Sequence, residues 1–149
     1  MMRIRTNKEV TGVPVPMLRF LSEEVRKDLP SLLIVDDDEQ VIRVSVRLLC
    51  GAWNIDTAPS AEAAVHLLRL KRYDAILSDF EMPDKNGLWL LRAARAMQPH
   101  TRRVLFSGSG PCDLALHLQS GLVHDFVSKP SGKEELIAAL SSAIKRRPN

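Results

Sequence analysis

Residues 74–91 read DAILSDFEMPDKNGLWLL. A short apolar run, Ala75-Ile76-Leu77, ends at an acidic residue, Asp79. Met82-Pro83 and the polar stretch Asp84-Lys85-Asn86-Gly87 follow, and a new apolar segment opens at Leu88. Apolar runs this short, bounded by turn residues, read as buried strands, and the Pro–Gly punctuation reads as a loop into a helix. The stretch therefore predicts strand, loop and helix, with a carboxylate delivered to the strand's C-terminal end. A carboxylate so placed needs polar company or a cation.

The same grammar repeats on both sides. Upstream, Leu32-Leu33-Ile34-Val35 ends in Asp36-Asp37-Asp38, and a helical segment runs from Glu39 to Cys50 with Gly51 as its stop. The apolar residues of this helix wrap most of the way round it, which suggests a face that meets more than its own core. Trp53 to Thr57 is a second strand, and Pro59-Ser60 opens a helix to about Lys71. Downstream, the helix from Leu88 ends at Met97, before Pro99. Arg103-Val104-Leu105-Phe106 is a fourth strand ending at Ser107, and Cys112 to Ser120 is a weak helix between glycines. Leu122 to Ser128 is a fifth strand ending at Lys129-Pro130. Ser131 and Glu134 have the spacing of a capping box for a last helix, which runs to about Arg146. Strands alternating with helices predict a doubly wound α/β fold with a five-stranded parallel sheet. Its common strand order is 2-1-3-4-5, with the ligand site beyond the C-termini of the first and third strands. Those are the strands that end in Asp36-Asp37 and Asp79.

Residues 1–30 stand apart as an N-terminal extension, and 31–149 form the domain. Thr11 to Pro16 is extended, because each proline disfavours helix in the residue before it. Met17 to Leu29 has the spacing of a short amphipathic helix. Two readings stay open for it: an arm packed on the domain, or an element that binds a partner or a second copy in a homodimer.

Composition narrows the function. The chain has 149 residues, 45% hydrophobic and 26% charged, which suits one soluble domain. No apolar run is long enough to enter a membrane, and the N-terminus lacks a signal-peptide core. Cys50 and Cys112 form neither a metal-ligand pattern nor a disulfide framework and read as free thiols in a cytoplasmic protein. A net charge of +3 does not by itself imply a nucleic-acid partner. The basic tail Lys145-Arg146-Arg147 reads as a helix C-terminus matched to its dipole.

The residues just past the strands are Asp36, Asp37 and Asp38, then Asp79, Ser107 and Lys129. Singly, each has an ordinary explanation: Asp38 as a helix cap, Ser107 in a glycine-rich turn, Lys129 in solvent. Together on the ends of one sheet they pose a charge problem, since close carboxylates repel. A divalent cation resolves it. An all-oxygen set with few protein ligands suits Mg²⁺ better than Ca²⁺, and the absence of Cys and His argues against zinc. Cation, ammonium and hydroxyl together suit a phosphoryl group, and a central carboxylate can be its acceptor.

These residues carry a resemblance. From about Ser31 to Arg147, nearly four-fifths of the chain, the sequence resembles the receiver domain of two-component response regulators. The features that match are Val35-Asp36-Asp37, the block Asp79, Met82-Pro83 and Gly87, Ser107 after Val104-Leu105-Phe106, and Lys129-Pro130. The resemblance implies a phosphorylation-controlled signalling switch rather than an enzyme. Asp79 would be the phosphoacceptor. Asp37 would bind Mg²⁺, with Asp36 assisting and the Glu81 backbone carbonyl as third protein ligand beside Asp79. Lys129 would pair with the phosphoryl group, Ser107 would hydrogen-bond to it, and Phe126 would be the switching aromatic residue. The Lys129-Pro130 bond would be cis. The donor would be a sensor histidine kinase or a histidine phosphotransfer protein. Output would pass from the face of the fourth helix, fifth strand and fifth helix to a downstream protein partner. Since the chain stops soon after the fifth helix, direct nucleic-acid contact within it is not expected.

Two features depart from the family's usual pattern. Glu81, two residues after the acceptor, puts a negative side chain where phosphoryl lifetime and partner access are tuned. Phe126 has no hydroxyl, so its switching would be steric. Two other readings compete with the switch. A haloacid-dehalogenase-like phosphatase would use Asp36 as nucleophile with Ser107 and Lys129, but leaves Asp79 unexplained. A degenerate receiver would act only as a docking or dimerisation module.

Overall fold

The computed structural model of the chain describes residues 27–146. Of the amphipathic helix expected over 17–29, Lys27 and Asp28 are helical, Leu29 is already a bend, and residues 17–26 lie outside the described residues. Five strands, β1 (Ser31–Val35), β2 (Asn54–Ala58), β3 (Ala75–Ser78), β4 (Arg102–Ser107) and β5 (Asp125–Ser128), form one parallel sheet in the order β2-β1-β3-β4-β5. Helices α1 (Glu39–Leu49), α2 (Ala61–Leu70), α3 (Gly87–Met97), α4 (Leu114–Gln119) and α5 (Lys133–Arg146) connect and cover it.

The central strands are continuously apolar because both sheet faces are covered. Successive side chains point to opposite faces. Leu33, Val35, Ile76 and Leu105 join a core with Ala64, Leu68, Leu90 and Leu91 of α2 and α3. Leu32, Ile34, Leu77 and Val104 join a second core with Ile42, Val46 and Leu49 of α1 and Leu136 and Leu140 of α5. The wide apolar ring expected on α1 divides accordingly: Ile42, Val46 and Leu49 point inward, Val41 and Leu48 pack at the margin, and Val44 is exposed.

Three helices begin on side-chain caps. Asp38 accepts from Gln40 N (2.9 Å), Ser60 from Ala63 N (3.1 Å) and Asn86 from Trp89 N (2.9 Å). α1 stops where expected, at Gly51, whose φ of +95° favours glycine. The capping box expected at Ser131 and Glu134 does not form. The last helix begins only at Lys133, so Ser131 lies too far upstream to cap it and hydrogen-bonds to Glu135 Oε1 instead (2.9 Å).

Two elements are shorter than their sequence pattern suggested. β5 begins at Asp125, not Leu122, because the carbonyls of Gly121 and Leu122 accept from the buried Arg103 side chain (both 2.8 Å). α4 spans only Leu114–Gln119 and buries no residue. Asp113, which precedes it, makes no cap bond and instead faces His117 Nε2 at 3.0 Å.

Candidate functional site

The C-terminal ends of β1, β3, β4 and β5 meet at one pole of the sheet. β1 and β3 are adjacent, with Val35 opposite Ser78, so the residues that follow them lie side by side. Asp36 and Asp79 are both buried, whereas Asp37 is exposed. One carboxylate oxygen from each of Asp36, Asp37 and Asp79 lies within 4.8 Å of the others. A cleft lined by Asp36, Asp37, Glu39, Ile42, Thr57 and Pro59 opens beside them.

Lys129 reaches this cluster from the end of β5. Its Nζ lies 2.6 Å from Asp36 Oδ2 and 3.5 Å from Asp79 Oδ1, so in this state it is paired mainly with Asp36. The Lys129-Pro130 bond is cis, and Lys129 N donates to Ser107 O (3.0 Å), which ties the ends of β4 and β5 together. The ammonium also sits over the Phe106 ring, 5.5 Å from its centroid.

Both oxygens of Asp36 are engaged: Oδ2 by Lys129 and Oδ1 by Asp38 N at 2.9 Å. Burial nonetheless pushes the Asp36 carboxyl above its ordinary value. The Lys129 and Asp38 hydrogen bonds oppose that rise, and the Asp79 charge adds to it. Asp79 accepts from Phe80 N at Oδ1 (2.9 Å).

Of the other residues picked from the sequence, Ser107 is buried at the end of β4, opposite Ser128. Phe126 is half-buried on β5 opposite Leu105, and its ring packs against Gly110 so closely that a Cβ there would lie 3.0 Å from it. The Glu81 side chain is exposed, while Met82 beside it is buried. Gly87 has a steric role: a Cβ at that position would lie 2.2 Å from the Asp79 carbonyl oxygen.

The sequence pattern did not disclose Phe106 as a companion of Lys129, nor Thr57 and Pro59 as walls of the cleft. Phe106 reads only as a core strand residue, and the other two belong to a strand end without acidic residues. No local signal marks them.

The donor set is chemically specific. Three carboxylates offer only hard oxygen ligands, and no His or Cys belongs to the group. Such a set fits a divalent cation that prefers oxygen. The fold and its acidic pole thus define a doubly wound domain with a carboxylate cluster at its topological switch point. The model of the response regulator receiver domain matches residues 32–141, and the chain belongs to that family. It is a signalling domain of two-component systems.

Relatives and structures agree. The chain is 31% identical over 115 residues to the cell cycle transcriptional regulator CtrA of Caulobacter vibrioides, a match covering 77% of this chain and 50% of that protein. It is equally similar, 31% over 117 residues, to the cell cycle response regulator CtrA of Brucella abortus, again covering 77% and 50%. The chain thus spans about half the length of these relatives. Among solved structures, the signal receiver domain of an HD domain-containing protein from Pseudomonas fluorescens Pf-5 superposes with a TM-score of 0.72 at 28% identity, covering 78% of this chain and 95% of that one. A CheY-like receiver domain protein from Methanospirillum hungatei JF-1 gives a TM-score of 0.73 at 20% identity, covering 80% and 100%, and supports the fold alone. No helix among the described residues is long and apolar enough to cross a membrane.

Proposed function

We propose that the domain is a switch that accepts a phosphoryl group on Asp79 from a phosphohistidine donor, a sensor kinase or a phosphotransfer protein. The observation that carries this reading is the pairing at the pole. Lys129 bridges Asp36 and Asp79, while Asp36, Asp37 and Asp79 converge within 4.8 Å. In the transfer an Asp79 oxygen attacks phosphorus in line. A P–O bond forms, the P–N bond breaks, and the donor imidazole leaves with the electron pair and takes up a proton. Asp37 and Asp79, with Asp36 assisting and the Glu81 carbonyl as a further ligand, would hold Mg²⁺. When bound, that ion offsets charge on the phosphoryl oxygens.

Lys129 then has two roles in sequence. Before transfer it neutralises Asp36. Afterwards its ammonium turns toward the new dianion, a shift favoured by the short distance to Asp79. Ser107 donates to a phosphoryl oxygen, and Phe126 moves into the space this leaves. The α4–β5–α5 face carries the change to a protein partner. Location in the cytoplasm and a residue 1–30 extension apart from the domain belong to the same reading, with that extension either an arm packed on the domain or an element that binds a partner or a second copy. Glu81 at the site margin sets the phosphoryl lifetime.

The phosphatase alternative needs Asp36 as a free nucleophile, yet Lys129 and Asp38 N occupy both its oxygens. Incubation with a small phosphodonor and Mg²⁺, read by intact mass, tests the proposal. The expected result is one hydroxylamine-labile phosphoryl adduct, absent in Asp79→Asn. A chain that stays unlabelled, with a kinase also supplied, would instead be a docking module.

A further inference from the structure

We propose that Ser78 is a positioning residue for the phosphoacceptor, an inference that rests on reading Asp79 as that acceptor. Ser78 is the last residue of β3 and is fully buried, with Val35 opposite it on β1 and Leu105 on β4. A hydroxyl in such apolar surroundings needs a partner. It finds one in the next residue, donating to the Asp79 carbonyl at 2.8 Å.

That carbonyl is otherwise poorly served. Among the described residues no backbone amide donates to it. The N-terminus of α3 closes the approach from another side, since even a Cβ at Gly87 would lie 2.2 Å from the oxygen. Replacing the hydroxyl therefore leaves a buried acceptor without a donor, and the peptide free to tilt.

The effect reaches the reacting atoms through one rigid plane. The Asp79 carbonyl and the Phe80 amide belong to a single planar trans peptide and point in opposite directions. Phe80 N donates to Asp79 Oδ1 at 2.9 Å, and the same Oδ1 faces Lys129 Nζ at 3.5 Å. Holding the carbonyl thus holds the amide, and the amide holds the carboxylate rotamer. Oδ1 is occupied, and Oδ2 is presented for attack on phosphorus. Near-attack geometry of this kind is what a small backbone tilt destroys.

The experiment compares Ser78→Thr, which keeps the hydroxyl, with Ser78→Val, which has nearly the same shape without it. Ser78→Ala serves as a second hydroxyl-free variant if the valine form does not fold. The first readout is the NMR shift of the Phe80 amide proton in metal-free protein, which reports the hydrogen bond to Oδ1 independently of any reaction. The second is the labelling rate with a saturating small phosphodonor and Mg²⁺, alongside thermal stability. Loss of the hydroxyl is expected to move the Phe80 amide upfield and slow labelling about ten- to a hundredfold, with Ser78→Thr close to wild type in both. A valine or alanine variant that labels at the wild-type rate overturns the proposal alone. So does one that is merely less stable, with its Phe80 amide unmoved. A wild-type chain that takes no phosphoryl group overturns the acceptor reading itself, and this inference with it.

Discussion

The two ends of the sheet bury polar side chains in opposite ways. At the end where the strands begin, Gln98 donates from Nε2 to Leu68 O and Lys71 O (2.9 and 2.8 Å) and accepts at Oε1 from Tyr73 N (2.9 Å). Arg103 beside it donates to four carbonyls, those of Pro99, Thr101, Gly121 and Leu122, at 2.8 to 3.2 Å. Burial, and after it the Arg95 charge, lowers the Arg103 guanidinium to about 10, which leaves it charged at neutral pH. At the other end, three carboxylates cluster, and the Lys129 ammonium pairs with two of them, Asp36 and Asp79. The first arrangement matches each donor with an acceptor and ties loops together. The second keeps like charges close with too little compensation. A satisfied polar network contributes stability, whereas an under-compensated one is held ready for a ligand that completes it.

The largest test of this contrast is Arg103→Met. It leaves four loop carbonyls without their donor and should cost about 3 kcal/mol or more, read as a lower denaturation midpoint. Arg103→Lys should rescue little, since one ammonium cannot span four acceptors. Gln98→Ala should follow at about 2 kcal/mol, with labelling of the folded fraction unchanged. At the acidic end the proposed Mg²⁺ site predicts the opposite sign: Mg²⁺ at ten times its dissociation constant should raise stability by about 1.4 kcal/mol, an increment that Asp37→Asn removes in calorimetry. Without the ion, Asp37→Asn itself should shift stability by less than about 0.5 kcal/mol.

The pH dependence sharpens the same comparison. Asp36 keeps its proton to higher pH in the folded chain than in the unfolded one, whose ordinary value is 3.8. Between those two values the folded state binds more protons, so this group's contribution to stability falls as pH rises through its folded pKa. Asp36→Asn should flatten that decline in acid-to-neutral melting curves. Arg103→Met, at the other end, should leave it in place.

The acidic end was largely legible in the sequence, and the opposite end was not. Asp36, Asp37, Asp79 and Lys129 each close an apolar run, so a strand count and a sheet order suffice to bring them together. Gln98 and Arg103 each reach partners about twenty to thirty residues away in sequence, Leu68 and Leu122 among them, through side-chain amide and guanidinium bonds that leave no periodic trace. For that reason the apolar pattern starts β5 too early: Leu122 and Val123 are apolar and buried, yet Arg103 holds the carbonyls of Gly121 and Leu122 outside the ladder. The apolar spacing also overextends α4, because spacing alone does not show that the helix packs on the core only through the partly buried Leu114.

Gly87 and α4 together determine which way the domain yields. Gly87 packs against the Asp79 carbonyl and donates its own N–H to Phe80 O at 2.7 Å, which ties the Asp79–Phe80 backbone to the first turn of α3. α4, across the site, has six residues and none buried. The domain resembles a vise with one fixed jaw. If Asp79 is the phosphoacceptor proposed above, charge added there would meet α3 tied to its backbone on one side and the sparsely packed α4 on the other, so the direction of the signal would be set by where the backbone is stiff.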